Sequence, residues 1–272
     1  MPRGPDLREH IFRDIKHRRI TARIQVLDDG VIAGVKRAQK AASRLGLKAA
    51  FHVKDGSQVK RGQFVADLVG DPKSMAMAED LLLGFLAKPS GIATACRRAV
   101  LAAEGKVKIV SHARKKIPLS MRTIVAEAVT AGGGHLRISD KPLLYLDKNY
   151  VRMFGSVSDT LKSTAHIHGR VRAVQLKGQM MDIATEALET AAAGADILMV
   201  DTGRVEDVKT VVEALEAKGL KHEVKVAFAG DMRVSDVPRL LDVGVDIIEI
   251  GRDILDAPML DFRLDVTGTG DE

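Results

Sequence analysis

Cysteine and tryptophan are nearly missing from this chain: its 272 residues hold one Cys and no Trp. The single thiol, Cys96, excludes an internal disulfide and a four-cysteine zinc site, and it points to a reducing, cytoplasmic setting. Aromatic residues make up only 3% of the sequence. The core must therefore rest on Val, Leu, Ile, Ala and Met, which suits strands and helices packed on a parallel sheet. No apolar run is long enough to span a membrane, and no amino-terminal apolar segment reads as a signal peptide. Charge of one sign does not dominate, because 42 Lys and Arg are mixed with 36 Asp and Glu for a net +6. The basic residues are spread along the chain and not interleaved with aromatics. That pattern reads as a solvated surface plus an anion site, not as a nucleic-acid face.

What is present divides by periodicity. Residues 1–19 are polar and basic and predict a short helix or an arm. From Ile20 to Val69 short strands alternate with turns: Thr21–Val26 has period two, Gly34–Leu45 carries an apolar helical face, and Phe51-His52-Val53 and Phe64–Leu68 read as strands. Ser74–Ala87 reads as a core helix, broken at Pro89-Ser90-Gly91, and Ile92–Ala103 reads as the next one. After Gly105 come apolar strands at Val107–Val110, Leu143–Leu146, Val171–Leu176, Ile197–Val200, Val224–Ala229 and Ile247–Ile250. Helical stretches separate them at about Met121–Ala131, Val157–Ser163, Met180–Ala193, Val205–Lys218 and Val234–Val243. Gly194, Gly219 and Gly244 mark helix ends. Repeated units of this kind predict an incomplete α/β (TIM-like) barrel over residues 89–257, preceded by an α/β sandwich over residues 1–88. The alternating tail, 258–272, is expected to pack back on the sandwich.

In such a barrel, ligands bind beyond the carboxyl ends of the strands. The residues there are Arg114, Lys115 and Lys116; then Asp147 and Lys148; then Gln175 and Lys177; then Asp201; then Gly230 and Asp231; and last Gly251, Arg252 and Asp253. Arg114 with Lys115 on a turn can reach one anionic ligand together. Gly230 and Gly251 either open the backbone to a phosphate or are ordinary turn glycines. Asp201 either binds a ribose hydroxyl or a divalent ion, or caps its loop. His135, after Gly132-Gly133-Gly134, either reaches into the site or lies exposed.

These residues sit in recognisable motifs. Ser90-Gly91-Ile92-Ala93-Thr94, Ala113-Arg114-Lys115-Lys116-Ile117-Pro118, the three glycines with Arg137, and Gly244-Val245-Asp246 with Gly251 and Leu260-Asp261 resemble segments of the quinolinate phosphoribosyltransferase family, also called carboxylating nicotinate-nucleotide pyrophosphorylases. The resemblance covers nearly the whole chain. It implies a sandwich domain and an incomplete barrel, paired as a homodimer or higher homo-oligomer. It also implies a pentosyl transfer: phosphoribosyl moves from 5-phosphoribosyl 1-diphosphate to the ring nitrogen of quinolinate with Mg²⁺, and a carboxylate leaves as CO₂. Arg114, Lys115, Arg137 and Asp201 match functional positions, with Asp201 the residue for ribose or metal and Gly230, Asp231, Gly251 and Arg252 the seat for the 5-phosphate. Elsewhere the family's residues are replaced. Its helix Arg falls on Asp80, its His on Leu136 with His135 beside it, its strand-end Lys on Asp147 with Lys148 next, and its Glu on Gln175.

Three hypotheses follow. The first is a phosphoribosyltransferase acting on anionic small molecules, with quinolinate or another nitrogenous ring acid as acceptor. The second is a divergent relative without quinolinate activity, either an accessory protein of the molybdate-transport type or a non-catalytic ligand binder, which Asp80, Leu136, Asp147 and Gln175 favour. The third is a barrel lyase or aldolase using Lys115 or Lys148 as an amine nucleophile.

Overall fold

The computed structural model describes residues 6–271, except the side chains of Ala113, Arg114 and Asp271. The chain divides into two compact units: residues up to Arg97, Pro118–Gly133 and the tail from Asp256 form one, and Arg98–Ile117 with Gly134–Leu255 form the other.

The first unit contains β1 (Arg18–Val26), β2 (Gly30–Val31), β3 (Lys48–Phe51), β4 (Gln58–Val59) and β5 (Phe64–Gly70). In β1 the period-two reading holds: Ile20, Ala22, Ile24 and Val26 are buried while their neighbours face outward. The antiparallel register sets Arg23 opposite Asp67, and their side chains pair at 2.9 Å. The inward row packs with Leu68 of β5, with Val35, Ala38 and Ala42 of the helix Val35–Arg44, and with Leu82 and Leu86. The strand predicted at Phe51-His52-Val53 starts earlier, at Lys48, because Lys48–Phe51 is the stretch that pairs with β5.

Pro89 does not break its helix. One helix runs from Pro72 to Ala102 with Pro89 inside it. Proline removes the amide that would bond to the carbonyl four residues earlier. That carbonyl belongs to Phe85, and Gly34 packs against it so tightly that a Cβ on Gly34 would lie 1.9 Å from the oxygen. Gly34 has φ +93°, so glycine answers both the conformation and the close approach. Around the same turn, Ser90 Oγ accepts the Ala33 N–H at 2.9 Å and Thr94 Oγ1 accepts the Val31 N–H at 2.9 Å. The Ser-Gly-Ile-Ala-Thr motif therefore works here as a lock between a helix and the Gly30–Gly34 segment. The helix Leu119–Ala131 also belongs to this unit, tied by Arg37 to Glu127 at 2.6 Å.

The second unit carries β6 (Lys108–Val110), β7 (Leu143–Leu146), β8 (Val171–Leu176), β9 (Ile197–Asp201), β10 (Lys225–Ala229) and β11 (Ile247–Glu249). They form one six-stranded sheet in the order β6-β11-β10-β9-β8-β7, with every neighbouring pair parallel. Consecutive strands β6 and β7 are the two edges, so the barrel is incomplete. A single parallel bridge, Val110 to His135, extends the β6 edge. The inner layer is Val110, Ala173, Ile197, Met199, Ala227, Ala229 and Ile247, closed by Ile138 with Leu143, Tyr145 and Val171.

Two repeats, Gly194-Ala195-Asp196 and Gly244-Val245-Asp246, start β9 and β11. Each aspartate accepts the amide at the foot of the neighbouring strand, Asp196 from Arg172 at 2.7 Å and Asp246 from Val226 at 2.8 Å. The stretch expected to be helical after β10 is a 3-10 helix, Val234–Leu240, because Pro238 inside it cannot donate the bond an α-helix needs there. The remaining strand, β12 (Phe262–Asp271), pairs antiparallel with β1 in the first unit, giving the sheet order β12-β1-β5-β3.

Candidate active site

Strand alternation builds the site. The last inner-layer residues of β7, β8, β9 and β11 are Tyr145, Ala173, Met199 and Ile247. Two residues further along, on the same face of each strand, stand Asp147, Gln175, Asp201 and Glu249. An apolar barrel interior thus ends in a ring of three carboxylates and one amide at the carboxyl ends of the strands, where ligands bind in this architecture.

Asp201 is the hub. Gln175 Nε2 donates to its carboxylate, and Lys177 Nζ donates to its backbone oxygen and lies 3.1 Å from its carboxylate. The Lys177 and Asp201 side chains are only 24% and 25% exposed, so the pair is shielded from water. Gln175 uses its other end to accept the Lys148 N–H at 2.9 Å. Asp147 turns to its own helix, Lys148–Phe154, and caps it by accepting from Asn149 at 2.8 Å and Tyr150 at 3.3 Å. That helix was not expected, although an aspartate directly before a short amphipathic run is its signature. Below the loop after β8, buried Glu186 accepts the amides of Lys177 at 3.1 Å and Gly178 at 2.7 Å. Burial pushes its carboxyl up, and those two amides oppose the rise.

Glu249 and Tyr145 were missed in the sequence. The signal for Glu249 was an acid interrupting Ile247-Ile248-Glu249-Ile250, in phase with the inner face and not beyond the strand end. Burial pushes its carboxyl above the usual range; Lys115 and Lys116 pull it back, and Asp201 pushes it further. The Tyr145 hydroxyl is pushed up by burial and then by the charges of Glu249, Asp201 and Asp147. The two residues and Asp201 therefore share one electrostatic neighbourhood with the lysines of the 3-10 turn Ala113–Lys116.

A second cluster forms on the loops after β10 and β11. Arg252 holds Asp231, with Nε at 3.1 Å, and that guanidinium draws the Asp231 carboxyl below its usual range, aided by Arg233 and Lys116. Behind Asp231, Gly230 and Gly203 lie back to back: a Cβ on Gly230 would sit 2.4 Å from the Gly203 nitrogen, and one on Gly203 would sit 2.4 Å from the Gly230 oxygen. Both have positive φ, and Gly203 was not singled out in the sequence. Gly251 leads into the short turn of helix Arg252–Leu255.

The structure thus gathers Lys115, Asp147, Lys148, Gln175 and Asp201 in one neighbourhood and Gly230, Asp231 and Arg252 in another, with Lys116 acting on both. Other candidates make no described contact with either group. His135 sits beside β6, and its charge bears on Asp140, which pairs with Lys108 at 3.1 Å. Arg137 is exposed and makes no ion pair or hydrogen bond among the described residues. Asp80 belongs to the first unit and pairs with Arg8 at 2.6 Å. The Arg114 side chain lies outside the described residues.

Comparison with known proteins agrees on one family. The C-terminal domain model of quinolinate phosphoribosyl transferase matches residues 92–265, and the N-terminal domain model matches residues 6–90. A probable nicotinate-nucleotide pyrophosphorylase (carboxylating) of Archaeoglobus fulgidus is 31% identical over 240 residues, covering 88% of this chain and 91% of that protein. Its counterpart in Methanothermobacter thermautotrophicus is 28% identical over 92% of this chain and 89% of that protein. Among solved structures, NadC from Streptococcus pyogenes superposes with a TM-score of 0.82 at 22% identity, covering 98% of this chain and 91% of its own.

Proposed function

The chain belongs to the quinolinate phosphoribosyl transferase family, and from that premise we propose that it transfers phosphoribosyl from 5-phosphoribosyl 1-diphosphate to the ring nitrogen of quinolinate or a closely related ring acid, releasing diphosphate. The observation that carries this reading is the Asp201 hub, a shielded carboxylate fixed by Gln175 and Lys177 at the carboxyl mouth of the barrel. As diphosphate leaves, positive charge develops on the ribose ring and negative charge on the departing oxygens. Asp201 is suited to hold a ribose hydroxyl or face the developing cation. Arg114, Lys115 and Arg137 are assigned to the carboxylates or the diphosphate, and the loop of Gly230, Asp231, Gly251 and Arg252 to the 5-phosphate.

The donor set also suits Mg²⁺. That ion takes oxygen ligands and leans on one or two protein carboxylates plus substrate phosphates, and Asp201 supplies a carboxylate at the mouth while the described residues form no dedicated cage of three ligating side chains. When bound, the ion would offset the charge of the diphosphate. Homodimer formation belongs to the same reading, and sedimentation would test it. No helix among the described residues is long and apolar enough to cross a membrane.

One observation favours a second reading, ligand binding without turnover of quinolinate: Asp147 and Gln175 spend their oxygens on the amides of residues 148–150. A single assay separates the two. Protein with quinolinate, the phosphoribosyl donor and Mg²⁺ is expected to yield diphosphate and CO₂ in equal amounts. Stabilisation by the donor without either product would support the second reading, and neither product nor stabilisation would overturn both.

A further inference from the structure

Glu249 is the one member of the mouth ring whose carboxylate has no structural duty. Asp147 caps a helix, Gln175 bridges Lys148 and Asp201, and Asp201 is held by Gln175 and Lys177. Glu249 forms no hydrogen bond or ion pair among the described residues, and neither of its oxygens is sealed from solvent. A half-buried carboxylate left without a protein partner faces whatever fills the mouth. Its position is fixed by register: Glu249 lies opposite Val110 on the neighbouring strand, and the Ala113–Lys116 turn begins three residues after Val110. The charge of Glu249 is thus set against Lys115, assigned above to the carboxylates or the diphosphate, and against its neighbour Lys116, the cations that act on it most.

Resting on the acceptor-binding reading above, we propose that Glu249 determines acceptor specificity: its carboxylate offsets the positive charge of Lys115 and Lys116, so the mouth discriminates against an acceptor bearing two carboxylates relative to one bearing a single carboxylate. A second carboxylate on the ring meets a like charge that a monocarboxylate largely avoids. Removing the charge at Glu249 should therefore help the dicarboxylate selectively.

The test is calorimetric titration of quinolinate and of nicotinate into the full-length protein and into Glu249→Gln and Glu249→Asp. Turnover of each acid with the phosphoribosyl donor is followed in parallel. Glu249→Gln is expected to tighten quinolinate about tenfold or more and nicotinate about threefold or less, with the gain in turnover appearing in KM and not in kcat. Glu249→Asp keeps the charge and should keep the wild-type ratio. An unchanged quinolinate-to-nicotinate ratio in Glu249→Gln would overturn the proposal, as would absence of binding of both acids to all three proteins. A shifted binding ratio without turnover in any of them would leave Glu249 as the selector and overturn the transferase reading instead.

Discussion

The two ends of the six-stranded barrel use the same residue types for opposite ends. At the amino ends of the strands, acids are consumed by the fold. Asp196 and Asp246 each receive a neighbouring strand's amide, and Asp246 also pairs with Lys221 at 3.0 Å. Around them lies an open cavity of about 1000 Å³, lined by Lys108, Asp140, Lys225 and Asp246 among others. At the carboxyl ends the acids divide: Asp147 is spent on the amides of Asn149 and Tyr150, and Asp201 and Glu249 accept no backbone amide among the described residues. Asp201 is held by side chains, and Glu249 is held by none. A cavity's size is therefore a poor guide to chemistry here. What separates Asp201 and Glu249 from Asp196, Asp246 and Asp147 is that the last three are already spent on a strand or helix amide. Charge left available at the carboxyl end, and not at the amino end, is what this architecture leads one to expect.

The largest expected effects test that difference through glycine. Gly203→Ala or Gly230→Ala forces a Cβ onto backbone atoms 2.4 Å away, at positive φ. Either should cost about 2–4 kcal/mol, read by urea unfolding, and should abolish turnover by displacing the Asp231 loop. Gly219→Ala, at the other end, has φ +67° but nothing within 4 Å of a new Cβ. It should cost only about 1–2 kcal/mol and leave turnover per folded molecule intact. Equal losses at the two ends would erase the contrast.

Paired aspartates come next. Asp246→Ala orphans the Val226 amide and Lys221 and should cost about 1–3 kcal/mol of stability with little change in kcat. Asp201→Asn should do the reverse, changing stability by less than about 1 kcal/mol while lowering turnover on the order of 10²-fold or more. Unfolding curves and steady-state kinetics on the same two preparations decide the matter.

Much of this was legible in the sequence because strand and helix periods are local. Leu143–Leu146 and Val171–Leu176 form strands with the bounds their apolar runs predict. The phosphoribosyltransferase family was legible in its motifs, most of all in the glycine, serine and threonine positions that shape the backbone. What could not be read is what depends on partners distant in sequence. Pro89 looks like a helix break until Gly34 is seen against the Phe85 carbonyl. Asp147 looks like a strand-end functional group until its oxygen is seen capping residues 149 and 150. Glu249 is hidden because it stands inside the strand, on its inner face, and not past the strand end. Gly203 had no distinguishing neighbour in the sequence; only Gly230 across the loop gives it meaning.

A smaller effect concerns pH and again separates Glu249 from the spent acids. Burial raises its folded-state pKa above the unfolded value, with Lys115 and Lys116 opposing and Asp201 adding. The folded protein then holds a proton there that the unfolded chain has already lost, so this group's contribution to stability is full below the unfolded glutamate pKa and disappears as pH rises through the folded one. Glu249→Gln removes that dependence. Its stability relative to wild type should be near zero at the acid end and climb with pH to a plateau. Unfolding midpoints collected from pH 4 upward test the sign, and a difference that shrinks as pH rises would contradict the assigned environment.

The smallest effect lies in the first unit. Asp80 meets Arg8 at 2.6 Å, a distance shorter than those of most ion pairs among the described residues, yet the two side chains are 64% and 37% exposed. Contact distance alone is a weak guide to energy for such a pair. Water screens the attraction, and holding two long side chains in one geometry offsets what remains. Asp80→Ala should therefore shift stability by about 0.5 kcal/mol or less, and the shift should fade further in 1 M salt. A larger, salt-resistant loss would mean that Asp80 is spent on the fold in the way Asp246 is, and that exposure does not separate structural carboxylates from dispensable ones in this protein.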